Sequence, residues 1–237
     1  FLLVTHGWRS AFMMMGIGAI VLLLVAAWAV GAPSSTTGSD PTETVSGYSF
    51  AEARRTRIFW MFCAIQFLFL PSLATIPLHI VVHGMDLGMT ATVAAALVST
   101  MALASVLARL AVGSFFDRVG GKGALILCLV PLLASLLALL VVNTPKSLFA
   151  VIVVYGFAHG GLFTVMSPAV AEYFGLKAHG TLFGSIIFFG AISGSVAPVL
   201  AGYIFDTTGS YSMAFNFLIA MASSGLILAL VLPKRRA

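Results

Sequence analysis

Gly113-Ser-Phe-Phe-Asp117-Arg-Val-Gly120 returns 89 positions later as Gly202-Tyr-Ile-Phe-Asp206-Thr-Thr-Gly209. Both stretches read G-x-x-F-D-x-x-G, and each closes a long apolar segment. Two more apolar segments lie between the segments that carry the two copies, so the chain crosses an apolar layer three times from one copy to the other. An odd number of crossings puts the two loops on opposite faces. The second copy is then the first one turned upside down.

Composition fixes the surroundings of such a chain. Of the 237 residues 60% are hydrophobic and only 8% are charged, with a mean hydropathy of +1.10. A soluble domain carries about 25% charged residues, and a water-soluble fold of this composition would leave much of its exterior oily. A lipid bilayer is the solvent that accepts it. The net charge of +5 is small and suits an anionic leaflet surface better than a nucleic acid. Cys63 and Cys128 both lie within apolar segments and form neither a disulfide framework nor a metal site. No cofactor motif is present. The chain starts at Phe1 without a signal-peptide pattern, and it reads as a piece of a longer protein whose N-terminal helical half is its partner.

Seven segments have the roughly 20 residues that a helix needs to span about 30 Å of hydrocarbon. They are 9–31, 58–82, 90–116, 123–142, 147–171, 180–204 and 212–232. Pro71, Pro77, Pro131, Pro168 and Pro198 fall inside them, where neighbouring helices in a membrane tolerate them. Barrel strands are excluded, because the runs far exceed the ~10 residues of such a strand and do not alternate. The expected fold is an all-α membrane protein. A six-helix bundle of two inverted three-helix repeats (58–237) follows one transmembrane helix (1–32) and a hydrophilic linker (33–57) rich in Ser, Thr, Gly and Pro. Inverted repeats of this kind are the signature of secondary transporters.

Basic residues orient the bundle. With alternating helices, Arg54, Arg55, Arg57, Arg118, Lys122, Lys177, Lys234, Arg235 and Arg236 share one face, while Lys146 and Arg9 take the other. Loops rich in Lys and Arg stay inside, so the linker and the C-terminus are expected in the cytoplasm of an integral protein of the plasma (inner) membrane.

One helix, a cytoplasmic linker and six helices resemble the back half of a major facilitator superfamily transporter, from its sixth helix to its twelfth. Gly113-x-x-x-Asp117-Arg118-x-Gly120-x-Lys122 is similar to that superfamily's signature loop, in its copy between helices eight and nine. Gly7-Trp8-Arg9, Glu172-Tyr-Phe-Gly175 with Gly180-Thr181-Leu-Phe-Gly184, and Pro198-x-x-Ala201-Gly202-x-x-x-Asp206-x-x-Gly209-x-Tyr211 resemble the monocarboxylate transporter and oxalate/formate antiporter branch. The resemblance implies carriage of a small organic anion, as symporter or antiporter. The chain departs from the branch at two places. It has Ser105 where the monocarboxylate branch has an acid one turn before its arginine, and no lysine in 180–204 where the oxalate pattern has one.

Arg109 is the only charged side chain well inside a helix. An intramembrane charge is costly and generally marks a pathway, and a guanidinium fork matches a carboxylate. The alternative is snorkelling toward the loop at Asp117, about 12 Å away along the helix. His159 lies mid-segment with Tyr155 one turn before it. It would bind substrate, relay a proton or make a neutral interhelical hydrogen bond. Gln66, Ser105 and Thr164 are further cavity candidates or ordinary interhelical bonds. His79 and His83, near the outer end of their helix, read as solvated.

Gly113, Asp117, Arg118, Gly120, Lys122 and Glu172 form the candidate conformational gate. Asp117 would dock on the N-terminus of the 180–204 helix in one state and leave it in another, and Glu172 would pair with Arg118 or Lys122. The other reading is that they only anchor the loop. Gly180 and Gly184, then Gly190 and Gly194, would permit close helix approach. An efflux carrier for drugs or other metabolites is the alternative within the same fold. An intramembrane enzyme is disfavoured, since the spans hold no H-E-x-x-H, no G-x-S-x-G and no paired acids.

Overall fold

The computed structural model describes residues 2–30 and 46–234. The chain forms two compact units, 1–44 and 45–237. The first holds helix α1 (Leu2–Val30), which contains an apolar stretch of 18 residues, Phe12–Ala29. Gly7, with φ 74° and ψ 162°, interrupts its helical path. Most of the hydrophilic stretch, residues 31–45, lies outside the described residues.

Among the described residues, the regular structure of the second unit is helical apart from one isolated bridge between Gly47 and Gly175. Its elements are α2 (Phe50–Ala53), α3 (Arg57–Asp86), α4 (Ala91–Leu139), α5 (Pro145–Phe174), α6 (His179–Thr208) and α7 (Ser212–Val231). Threonines set three of the starts. Thr56, Thr90 and Thr144 accept from Phe59 N, Val93 N and Ser147 N, satisfying donors that the first helical turn leaves free. The anticipated prolines are all inside helices.

The expected spans 90–116 and 123–142 are joined in α4, whose 49 residues exceed any single crossing. Gly120 resolves this. Its φ of 69° and ψ of 173° break the helical path, in a region open essentially to glycine alone. Val112 and Cys128 lie eight residues either side of Gly120, about 24 Å apart on a straight helix. Both nevertheless face Gly161 of α5, where a methyl group would come within 3.3 Å of Val112 Cγ2 and 2.5 Å of Cys128 Sγ. So α4 is a hairpin of two arms, and the second unit has six crossings.

The repeat is visible in the packing. Gly156 and Gly160 bring α5 onto Met101 and Ser105 of the first α4 arm. Gly190 and Gly194 bring α6 onto Gln66 and Leu70 of α3. An offset of 89 maps Met101 to Gly190 and Ser105 to Gly194, so the two contacts are equivalent, with the small residues on opposite partners. Gly180 and Gly184 differ from expectation, because nothing lies within 4 Å of a methyl group placed there.

The two loops of the repeat lie at opposite ends. Gly120 lines a cleft of about 400 Å³ with Arg118, Lys122, Glu172, Tyr173 and Lys234, just past the end of α7. Gly209 lines another, of about 420 Å³, with His83, Asp86, Tyr211 and Ser212, at the start of α7. The 20 residues of α7 separate them by about 30 Å.

Candidate functional site

Mid-depth in the second unit, the first α4 arm and α5 meet so closely that their backbones touch at Ser105 and Gly160. This crossing sets the neighbouring side chains. Ser105 is buried, and its Oγ lies 3.4 Å from Nδ1 of His159. Tyr155, His159 and Phe163 follow one another at single-turn spacing on α5, so their rings form a ladder. Centroid distances are 5.9 Å from Tyr155 to His159 and 5.0 Å from His159 to Phe163. The Arg109 guanidinium caps the ladder, its Cζ 5.7 Å from the Phe163 ring centroid.

Arg109 is exposed and His159 is half-buried, whereas Tyr155 is fully buried. The open end of the ladder is therefore the charged one. The Tyr155 hydroxyl donates to the Ser72 carbonyl of α3 at 2.9 Å, which anchors the closed end. Phe163, the seat of Arg109, was not singled out from sequence. Its place one turn beyond His159 is the signal that would have found it.

Two other sequence candidates stand apart from this group. The Thr164 hydroxyl donates back to the Gly160 carbonyl of its own helix at 3.0 Å. Gln66 is buried at the α3–α6 contact against Gly190, and its Oε1 is without a hydrogen-bond partner.

The gate residues gather around the Gly120 bend. Glu172 Oε2 accepts from Gly121 N at 2.6 Å, so this carboxylate caps the second α4 arm. Lys122 Nζ donates to the Leu230 carbonyl at 2.6 Å, and the Tyr173 hydroxyl to the Pro233 carbonyl at 2.6 Å. Glu172 thus serves a helix start, where free N–H groups and the helix dipole favour an anion, rather than Arg118 or Lys122. Asp117 and Gly113 are exposed, and the start of α6 carries no side-chain cap in this conformation.

The same end carries Arg54, Arg55, Arg57, Arg118, Lys122, Lys177 and Lys234, whereas the opposite end has Lys146 with Asp86 and Asp206. At that opposite end His79 and His83 are not simply solvated. His79 Nε2 lies 3.1 Å from the Pro198 carbonyl and Nδ1 lies 3.2 Å from the Tyr211 hydroxyl, tying α3 to α6 and to the start of α7. His83 Nε2 is buried.

Comparison with known proteins places this arrangement. Residues 85–237 match the Major Facilitator Superfamily. Monocarboxylate transporter 13 of Bos taurus is 30% identical over 229 residues, covering 95% of this chain and 53% of that protein. Monocarboxylate transporter 7 of Homo sapiens is 34% identical over 181 residues, covering 74% and 34%. The sialic acid transporter NanX of Escherichia coli is 26% identical over 235 residues, covering 95% and 56%. Among solved structures, the Major Facilitator Superfamily transporter FucP in its outward conformation is similar with a TM-score of 0.69 at 17% identity, over 97% of this chain and 55% of that one. The chain spans about half the length of monocarboxylate transporter 13 and of NanX.

Proposed function

This chain belongs to the Major Facilitator Superfamily, and we propose that the full-length protein is a secondary active transporter of a small organic anion, working by alternating access. One observation carries the anion. Arg109 is exposed on a membrane-spanning arm, one turn from the Ser105–Gly160 crossing toward Gly120, seated on Phe163 beside the Ser105–His159 pair. A cation in that place is costly unless it meets a counter-charge or water, and a substrate carboxylate is such a counter-charge. Ser105 and His159 supply hydrogen-bonding groups next to it, and the aromatic ladder supplies an apolar wall.

The names of the relatives agree in chemistry. Monocarboxylates and sialic acid are both carboxylates. These relatives are transporters, not enzymes. The cation-rich end around Gly120 is assigned to the cytoplasm by the positive-inside rule. There the Gly120 bend, Glu172, Lys122, Arg118 and Asp117 form the gate that moves between states. Gln66 and Thr164 take part only in a conformation that turns them toward the site. Efflux of apolar compounds is the weaker reading, since the permanent cation of Arg109 beside the Ser105–His159 pair disfavours them.

The reading is tested in vesicles that hold the full-length protein, offered labelled short monocarboxylates, dicarboxylates and a lipophilic cation. Saturable acid uptake, competed by other acids, is the expected result. Movement of the lipophilic cation alone would overturn the reading.

A further inference from the structure

Two clefts on the surface of the second unit lie in line along α3 and α6, a groove in two parts. The first, of about 470 Å³, is bounded by Phe50, Arg54, Trp60, Ser185 and Phe188 at the cation-rich end. The second, of about 310 Å³, lies deeper, bounded by Phe67, Pro71, Ile192, Val196, Phe217 and Met221, where α7 adds a wall. Trp60 and Phe67 are seven residues apart, as are Ser185 and Ile192, so each pair lies two turns apart on one face of its helix. Trp60 meets Phe189 of α6 edge-on, with ring centroids 5.8 Å apart, and so forms the groove floor at its mouth.

Polarity changes along the groove as it does across one leaflet. At the deep end Ser193 is the one polar side chain among the described residues, and its hydroxyl donates to the Gly190 carbonyl of its own helix. At the mouth Arg54 stands outside the membrane-length part of α3. The Trp60 indole Nε1 donates to the Arg54 carbonyl at 2.9 Å and fixes that residue's backbone, with Trp60 at the depth of an interfacial aromatic. Glu52, the acid nearest in sequence, is engaged elsewhere. Its Oε2 accepts from Ser49 N and Ser49 Oγ, both at 2.7 Å. The span from Trp60 to Pro71 is about 16 Å, close to half of a hydrocarbon core of about 30 Å.

We propose that this groove seats one anionic phospholipid, its phosphate at Arg54 and one acyl chain laid along Trp60, Phe67 and Pro71 against Ile192 and Val196. The charge of Arg54 selects the headgroup, and the matched length and dry walls select a chain. The neighbouring Arg55 and Arg57 add to the field at the mouth without lining it.

The test uses the full-length protein, reconstituted in vesicles of phosphatidylcholine and phosphatidylglycerol in equal parts, extracted into detergent and weighed by native mass spectrometry. Wild type is expected to retain one phosphatidylglycerol. Val196→Trp, at an exposed position, fills the deep end and is expected to lose it. Arg54→Glu attacks the opposite end and is expected to lower retention about tenfold. Val106→Trp, exposed on the first α4 arm, is expected to behave as wild type. Equal retention by all four proteins would overturn the proposal, as would phosphatidylcholine held as firmly as phosphatidylglycerol. Melting of each variant in the same detergent separates loss of lipid from loss of fold.

Discussion

Gly120 and Gly209 close the two copies of one sequence repeat with φ of 69° and 67°, yet ψ is 173° at the first and 14° at the second. The first conformation turns the chain back on itself within α4. The second is the ordinary left-handed end of a helix. Asparagine tolerates the left-handed region but not the region Gly120 occupies. Gly209→Asn should therefore cost only a few tenths of a kcal/mol, against about 1–3 kcal/mol for Gly120→Asn. Melting temperatures in detergent would show a clear drop for the second variant alone. Equal drops would mean that the α4 bend does not rest on Gly120.

The Ser105–Gly160 contact makes a second comparison. A methyl group on Gly160 overlaps the Ser105 backbone, whereas one on Gly184 meets nothing within 4 Å. Gly160→Ala is expected to destabilise by about 1–3 kcal/mol through overpacking and to slow transport by displacing His159 from Ser105. Gly184→Ala should leave both unchanged, or gain slightly from helix propensity.

Glu172 caps Gly121, and Gly121 is buried. Glu172→Gln keeps an acceptor and loses only the charge–dipole interaction, about 0.3–1 kcal/mol. Glu172→Ala strands a buried N–H, about 1–3 kcal/mol. Stability should fall in that order. Were Glu172 instead a partner of Arg118 or Lys122, glutamine and alanine would be equally harmful.

Opposite placement of the two repeat loops predicts a labelling asymmetry. Arg118→Cys and Thr207→Cys, both exposed, should react with a membrane-impermeant thiol reagent from opposite sides of sealed vesicles. Position 118, at the cation-rich end, is expected on the cytoplasmic side. Reaction of both from one side would contradict the opposite placement.

Much of the fold was legible because a bilayer imposes a length and a polarity that sequence displays directly. The apolar runs, their prolines and the repeated loop led to the crossings and to the inversion. The α4 bend was foreshadowed by the gap between the expected spans 90–116 and 123–142, although the chain there never leaves helix except at Gly120. The site was less legible. Arg109 stood out as a lone intramembrane charge, but Phe163 is one of 19 phenylalanines and only its register with His159 distinguishes it. Thr164 reads from sequence as a cavity or interhelical group and instead donates to the Gly160 carbonyl of its own helix, which is close and always present. Glu172 is offered Arg118 or Lys122 by sequence and instead accepts from Gly121 N, which the Gly120 bend brings to it from 51 positions away. His79 was misjudged because its position near a helix end suggested water, while the Pro198 carbonyl and Tyr211 are brought to it from residues more than a hundred positions away.

Arg109 is proposed to hold the carboxylate of a transported anion. The most direct test of this role is saturable uptake of a labelled monocarboxylate into vesicles by the full-length protein, for wild type, Arg109→Lys and Arg109→Ala. Losing a charge-assisted bond worth about 1.5–3 kcal/mol should cut uptake at low substrate by at least about tenfold in the alanine variant. Lysine should recover part of it, since the charge returns without the fork. Uptake by Arg109→Ala equal to wild type, in vesicles holding the same amount of folded protein, would contradict the account.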